Sequence, residues 1–189
     1  MPNAGIHLCI AKRLSKKINM DKYLFYVGNI APDSWRNSSS TRKISHFRID
    51  SPKEDYESFY KKYLKELKNP YVMGYLTHLI TDNYWYSHKY LGEHKDARYK
   101  EGIYCLVSNL TSYYKIEKLN PLIMDIFYNP VEELNESGIN KTIDYINKSC
   151  FIEKPRIYNI NELKDQIEET SNYILDELDR LNAKYQKDT

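Results

Sequence analysis

The sequence predicts an all-α fold, a single-domain multi-helix bundle, on three observations. Apolar residues recur at helical spacing along most of the chain, period-2 alternation is almost absent, and helix-start signals return at intervals. With 189 residues the chain is long enough to bury one sizeable core and short for two, so residues 1–189 are read as one domain.

The elements follow in order. Ala4 to Lys17 opens the series, with Ile10, Leu14 and Ile18 on one face, and Asp21 to Ile30 comes next. Ala31 to Asp50 is rich in Ser, Arg and Thr and reads as a long loop, which in a helical domain asks for a functional reason. Ser51-Pro52-Lys53-Glu54 has the form of a capping box, ahead of Tyr56, Phe59, Tyr60, Tyr63, Leu64 and Leu67, and predicts a helix to about Lys68. Asn69-Pro70 puts an N-cap before a Pro at the first helical position and starts a helix to about Tyr90, with Gly92 as its C-cap. Asn120-Pro121 and Asn129-Pro130 carry the same signal and predict two more starts. Asp96 to Ile116, Ser137 to Cys150 and Asn161 to about Tyr185 complete the bundle, and the Glu and Lys residues alternating from Glu162 to Asp179 read as a solvated face.

Composition narrows the function classes. Hydrophobic residues at 41%, charged residues at 29%, six Gly and seven Pro exclude a disordered or collagen-like chain. Against 28 basic residues stand 26 acidic ones, so no bulk field draws the protein to nucleic acid, which is not expected as a stable partner. Three cysteines without a C-x-x-C pair argue against a disulfide framework and against a thiolate zinc site. No stretch has the length of a transmembrane segment, and the first twenty residues hold no signal peptide. With reduced thiols, this gives the expectation of a cytoplasmic protein.

The chemistry is concentrated on the helix from Pro70. In Gly74-Tyr75-Leu76-Thr77-His78-Leu79-Ile80-Thr81-Asp82, His78 and Asp82 lie four apart, about 40° from each other on one face, and both can reach one cation. An imidazole and a carboxylate suit a divalent metal, although at this spacing a simple hydrogen-bonded couple is the commoner arrangement. The surrounding apolar residues predict burial, where an unpaired carboxylate costs several kcal/mol. No Lys or Arg lies between Asn69 and His88, so the compensating charge must come from another segment or from a metal. His7 on the apolar side of the first helix, Asp33 after Ala31-Pro32, and His46 in Ile44-Ser45-His46-Phe47 are further candidates. Singly they read as a core histidine, a turn aspartate and a surface histidine.

Taken in register, Asn3 to His7, Gly28-Asn29-Ile30-Ala31-Pro32-Asp33, His46-Phe47 and Gly74 to Asp82 resemble the zinc-dependent phospholipase C family, whose fold is similar to that of the P1 nucleases. The likeness spans roughly residues 3 to 90. It implies an all-α fold and a metal-dependent phosphoester hydrolase that uses a water activated by two divalent cations, zinc by expectation, on a small-molecule or lipid phosphoester. It implies His7, Asp33, His46, His78 and Asp82 as metal ligands. Asp82 would bridge two ions, with Asp33, His46 and His78 on one side and His7 on the other. Asp33 would be the catalytic residue, accepting the proton of the attacking water. Tyr75, Tyr84 and Tyr86 could orient the ligands.

The departures from the family pattern are informative. A third metal would use His88 with a later H-x-x-x-E, and His94 and Glu101 are not at that spacing, so two metals are expected. Choline-lipid-cleaving members of the family carry aromatic residues where this chain has Ser34 and Lys43, which makes those two positions candidate substrate contacts and, with Arg42, favours an anionic head group. Two rivals stand beside this reading. An HD-type nucleotide phosphohydrolase wants an adjacent His-Asp pair, and none of the five histidines is followed by Asp. A non-catalytic helical protein with a structural metal would have both ions fully ligated by protein.

Overall fold

The computed structural model describes residues 3–37, 40–88, 107–123, 127–134, 138–151 and 160–186, and it is all-α, with no strand among them. In chain order α1 is Ala4–Leu14 and α2 is Lys22–Ile30; a 3-10 helix, Ala31–Asn37, then leads to the short α3, Arg42–Ser45. The helix α4 is Tyr56–Lys62, a 3-10 turn covers Leu64–Glu66, and α5 is Pro70–His88. Residues 107–113 are helical, α6 is Ile139–Ser149 and α7 is Asn161–Tyr185.

Most helix starts have a visible cause. Asn3 Oδ1 accepts from the amides of Gly5 and Ile6, both at 3.1 Å, and opens α1. Asp21 caps α2 through Leu24 N, Thr41 caps α3 through Ile44 N, and Asn69 accepts from Tyr71 N ahead of Pro70 as the sequence predicts. At α4 the expected capping box does not form. Asp55 is the cap, accepting from Ser58 N at 3.1 Å and Ser58 Oγ at 2.7 Å, while Glu54 is buried. The helix then stops at Lys62 instead of running on to Lys68.

Two predicted starts are absent among the described residues. The segment around Asn120-Pro121 is not helical where it is described, and side-chain amides take over backbone hydrogen bonds at Leu119 and Leu122. Asn147 accepts from Leu119 N and donates to Leu119 O, and Asn140 does the same for Leu122. Asn129 closes a turn on itself, accepting from Val131 N and donating to Leu134 O. The expected start of the helix at Asp96, its stretch to residue 106 and the Gly92 cap lie outside the described residues.

The core is built around α5, which packs against α1, α2, α4 and α7. Tyr71, Val72, Tyr75, Leu76, Leu79, Ile80 and Trp85 are all buried, so apolar side chains surround this helix instead of lining one stripe. Its contact with α2 is closest. A Cβ on Gly28 would lie 2.0 Å from Tyr71 O, and one on Gly74 2.1 Å from Phe25 O, so each glycine admits the other helix's backbone. At the far end Trp85 Nε1 donates to Thr170 Oγ1 at 2.8 Å, and Tyr84 OH donates to Glu169 at 2.8 Å, tying α5 to α7.

Candidate metal centre

The close α2–α5 crossing determines where the site forms. Asn29 follows Gly28, and His78 lies one turn after Gly74. Asn29 O accepts from His78 Nδ1 at 2.7 Å, while Asn29 Nδ2 donates to Thr77 Oγ1 at 2.9 Å. With Nδ1 committed as donor, His78 presents Nε2 to the cluster. His46 comes from the end of α3. Its Nδ1 lies 2.8 Å from Ser45 Oγ, which is itself 3.4 Å from Arg42 O, and Tyr75 OH donates to Ser45 O. Phe47 then turns the chain with a φ of 51°, a left-handed conformation costly for a bulky residue, and rests its ring edge-on to Phe59.

All the sequence-predicted ligands meet here. His7 Nε2 lies 3.2 Å from Asp82 Oδ1, whereas His46 Nε2 and His78 Nε2 each lie 3.6 Å from Oδ2. Asp33 Oδ1 is 3.6 Å from His46 Nε2. The His7 and His78 rings stack at 3.9 Å. Ligand atoms of His46, His78 and Asp82 all lie within 4.8 Å of one another, as do those of His7, Asp33 and His78. The two Asp82 oxygens therefore face different histidines, as a bridging carboxylate would, and Asp33 and His78 lie close to both groups.

These residues fit a cation on three counts. Tetrahedral ligands with bonds of about 2.0–2.1 Å sit about 3.3–3.4 Å apart, close to the 3.2–3.6 Å separations observed. Despite the short His7–Asp82 approach, both ring nitrogens of His7 and Asp82 Oδ1 lack a well-directed hydrogen bond, an expensive state for buried polar atoms. Finally, His46 Nε2 and His78 Nε2 face each other at 3.3 Å, a separation that a shared hydrogen or a metal ion between them would satisfy.

The titration behaviour follows from this crowding. Burial pushes His7 below its ordinary value and the charge of His78 adds to the shift, outweighing Asp82. Burial drives His46 down to about 4, against the pull of Asp33. Burial acts the same way on His78, yet Asp82 beside it wins and raises it. Burial would raise Asp82, but His78 and His7 hold it well below the carboxylate range. Asp33 is likewise lowered, its burial outweighed by His46 and His78. Its side chain keeps 24% exposure whereas that of Asp82 keeps 1%, so Asp33 is the carboxylate on the solvent side.

The charge missing from α5 arrives from another segment. Arg42 Nη2 lies 3.1 Å from Asp82 Oδ2 and its Nη1 3.6 Å from Asp33 Oδ1. The sequence named Arg42 only beside Lys43 as a head-group contact, and nothing in its spacing from α5 signals the clamp. Glu54 was also missed. It is 3% exposed, and burial with the nearby Asp82 raises its carboxyl above the ordinary value.

The remaining candidates divide. Lys43 is exposed and lines a pocket of about 550 Å³ that Arg42 also lines. Ser34 is fully buried and its hydroxyl donates to Ala31 O at 2.6 Å, so it holds the 3-10 turn and does not face a substrate, a correction to the sequence reading. Tyr75 supports the His46 loop, Tyr84 is tied to α7, and Tyr86 is exposed. His88 donates to Tyr84 O at 2.9 Å and belongs to neither ligand group. His94 and Glu101 lie outside the described residues. Cys9 and Cys150 are buried free thiols. No helix among the described residues is long and apolar enough to cross a membrane. Comparison with family models, with curated proteins and with solved structures found no match.

Proposed function

We propose that the chain is a metal-dependent phosphoester hydrolase, similar to the zinc-dependent phospholipase C family, with His7, Asp33, His46, His78 and Asp82 holding two divalent cations, zinc by donor type. The observation that supports this reading is the convergence of two carboxylates and three imidazoles from four segments, with their ligand atoms facing one another and with both His7 nitrogens and Asp82 Oδ1 lacking a well-directed hydrogen bond. Cations in this place would polarise a phosphoryl group, lower the pKa of an attacking water and steady the leaving alkoxide.

The chain's own residues do the rest. Asn29 and Ser45 orient His78 and His46 by their second ring nitrogens, and Tyr75 fixes the backbone at Ser45. Asp33, ionised and partly open to solvent, is placed to accept the proton of the attacking water. Arg42 at the mouth can meet a phosphoryl oxygen with its fork of donors.

A second reading has one observation in its favour. The Arg42 guanidinium already compensates Asp33 and Asp82, as it would in a purely structural buried network. Hydrolysis of bis(p-nitrophenyl) phosphate separates the two. Activity that appears with zinc, vanishes with chelator and is lost in His78→Ala supports the hydrolase. Absence of turnover with every divalent metal tried and a panel of di- and monoesters favours the structural network.

A further inference from the structure

The pocket beside the cluster has a chemistry of its own. Its lining includes Arg42, Lys43 and Arg48 together with Asp50, Ser51 and Pro52, so three cationic side chains line it against one carboxylate, the carboxylates that Arg42 and Arg48 meet standing behind the wall. Arg48 is held in place. Its Nη2 donates to Pro52 O, its backbone amide donates to Lys43 O at 2.8 Å, and its Nη1 lies 3.8 Å from Glu54 Oε1. Glu54 is buried, and that oxygen has no well-directed hydrogen bond, so its charge acts on Arg48 from within the protein. Lys43 is exposed, and among the described residues its ammonium has no carboxylate partner. Arg42 lines the pocket while also contacting Asp33 and Asp82, so it forms the wall between pocket and cluster.

We propose that this pocket is an anion subsite, taking a second phosphate or carboxylate of the substrate while the scissile phosphoester lies at the His/Asp cluster. The substrate class is then a phosphoester with a further anionic group close to the bond that breaks. As a statement about the substrate this rests on the hydrolase reading; as a statement about anion binding it rests on the pocket alone. The fork of Arg48, pinned from behind, gives geometry, and Lys43 adds a mobile point charge. A quaternary ammonium head would meet like charge instead.

The test uses the full chain stripped of metal with chelator and then dialysed, because pyrophosphate itself binds metals. One arm titrates inorganic pyrophosphate by calorimetry. The other titrates phosphatidylcholine vesicles with and without phosphatidic acid. Saturable binding of pyrophosphate, or of vesicles only when they carry phosphatidic acid, weakened about tenfold or more by Lys43→Ala and by Arg48→Gln and further by added salt, supports the subsite, whereas equal binding to pure phosphatidylcholine vesicles counts against it. The arm that binds tells whether the anion is soluble or a lipid head group. Lys43→Ala changes an exposed side chain, so it keeps the measurement valid if Arg48→Gln unfolds the protein, which melting curves reveal. No saturable binding in either arm, or equal binding by folded Lys43→Ala, overturns the proposal. Metal content and bis(p-nitrophenyl) phosphate hydrolysis of the same preparation before stripping report separately on the hydrolase reading.

Discussion

Replacing Asp82 by Asn keeps the shape of the side chain but removes the charge that His7, His78 and Arg42 face. Without metal, stripping one partner from a buried ion pair costs about 3–5 kcal/mol. Arg42 keeps Asp33 at 3.6 Å and a side chain 25% exposed, so the lower end, about 3 kcal/mol, applies. In a chain of this size each kcal/mol moves the melting temperature by about 2–4 °C, which predicts a fall of about 6–12 °C in chelator. With free metal at a thousandfold above its Kd the native protein gains about 4 kcal/mol, or about 8–16 °C, for each ion bound. The variant, having lost the bridging carboxylate, should gain almost none of this. Circular dichroism melts of both proteins, in chelator and in zinc, give the four numbers needed. If Asp82→Asn keeps the wild-type zinc increment, Asp82 does not hold the metal; if wild type has none, the cluster is an Arg–Asp–His network.

Three further predictions concern packing, pH and substrate. Gly28→Ala or Gly74→Ala should force α2 and α5 apart, destabilise the fold by about 1–3 kcal/mol and weaken metal binding through the His78–Asn29 contact; calorimetry showing native metal affinity in a folded variant would contradict this. His46 is pushed down to about 4 by burial, against an ordinary value of about 6.5 in the unfolded chain, so as pH falls the unfolded state takes up the proton first. The metal-free protein should lose about 3 kcal/mol through this group between pH 6.5 and 4. His7, also lowered by burial, acts in the same sense. His78, raised by Asp82 against its burial, acts in the opposite one, its contribution present below pH 6.5 and lost as pH rises through its folded value. Urea denaturation at pH 4.5 and 7 should show the net loss, and His46→Asn should flatten it; a flat wild-type profile would refute the assignment. At matched metal loading, phosphatidylcholine should be cleaved more slowly than anionic phosphoesters, since the ammonium of Lys43 would repel a choline head in the pocket it lines. A clear preference for the choline lipid would remove the pocket argument and leave the ligands untouched.

Much of this was legible because local rules dominate where it was. Asn69 is a cap whose side chain binds an amide two residues on, so sequence spacing places the start of α5, while α1 and α2 were legible from their apolar period and are capped by Asn3 and Asp21. His78 and Asp82 were legible through their flanking residues, which predicted burial on one helical face, whereas His7, Asp33 and His46 joined them as candidate ligands only through the family resemblance. Where a distant partner decides, spacing fails. Asn129-Pro130 looks like Asn69-Pro70, but its amide closes a turn, and Leu119 and Leu122 have their backbone groups taken up by Asn147 and Asn140 on α6 instead of by a helix. Arg42 reaches Asp82 across forty residues of sequence, and Ser34 is buried by a 3-10 turn that no periodicity announces.

Whether His7, Asp33, His46, His78 and Asp82 hold metal is tested most directly by elemental analysis of protein purified without chelator and dialysed after zinc loading. About two zinc ions per chain are expected, falling sharply in His78→Ala; a stoichiometry of zero in the wild-type chain would contradict the proposed site.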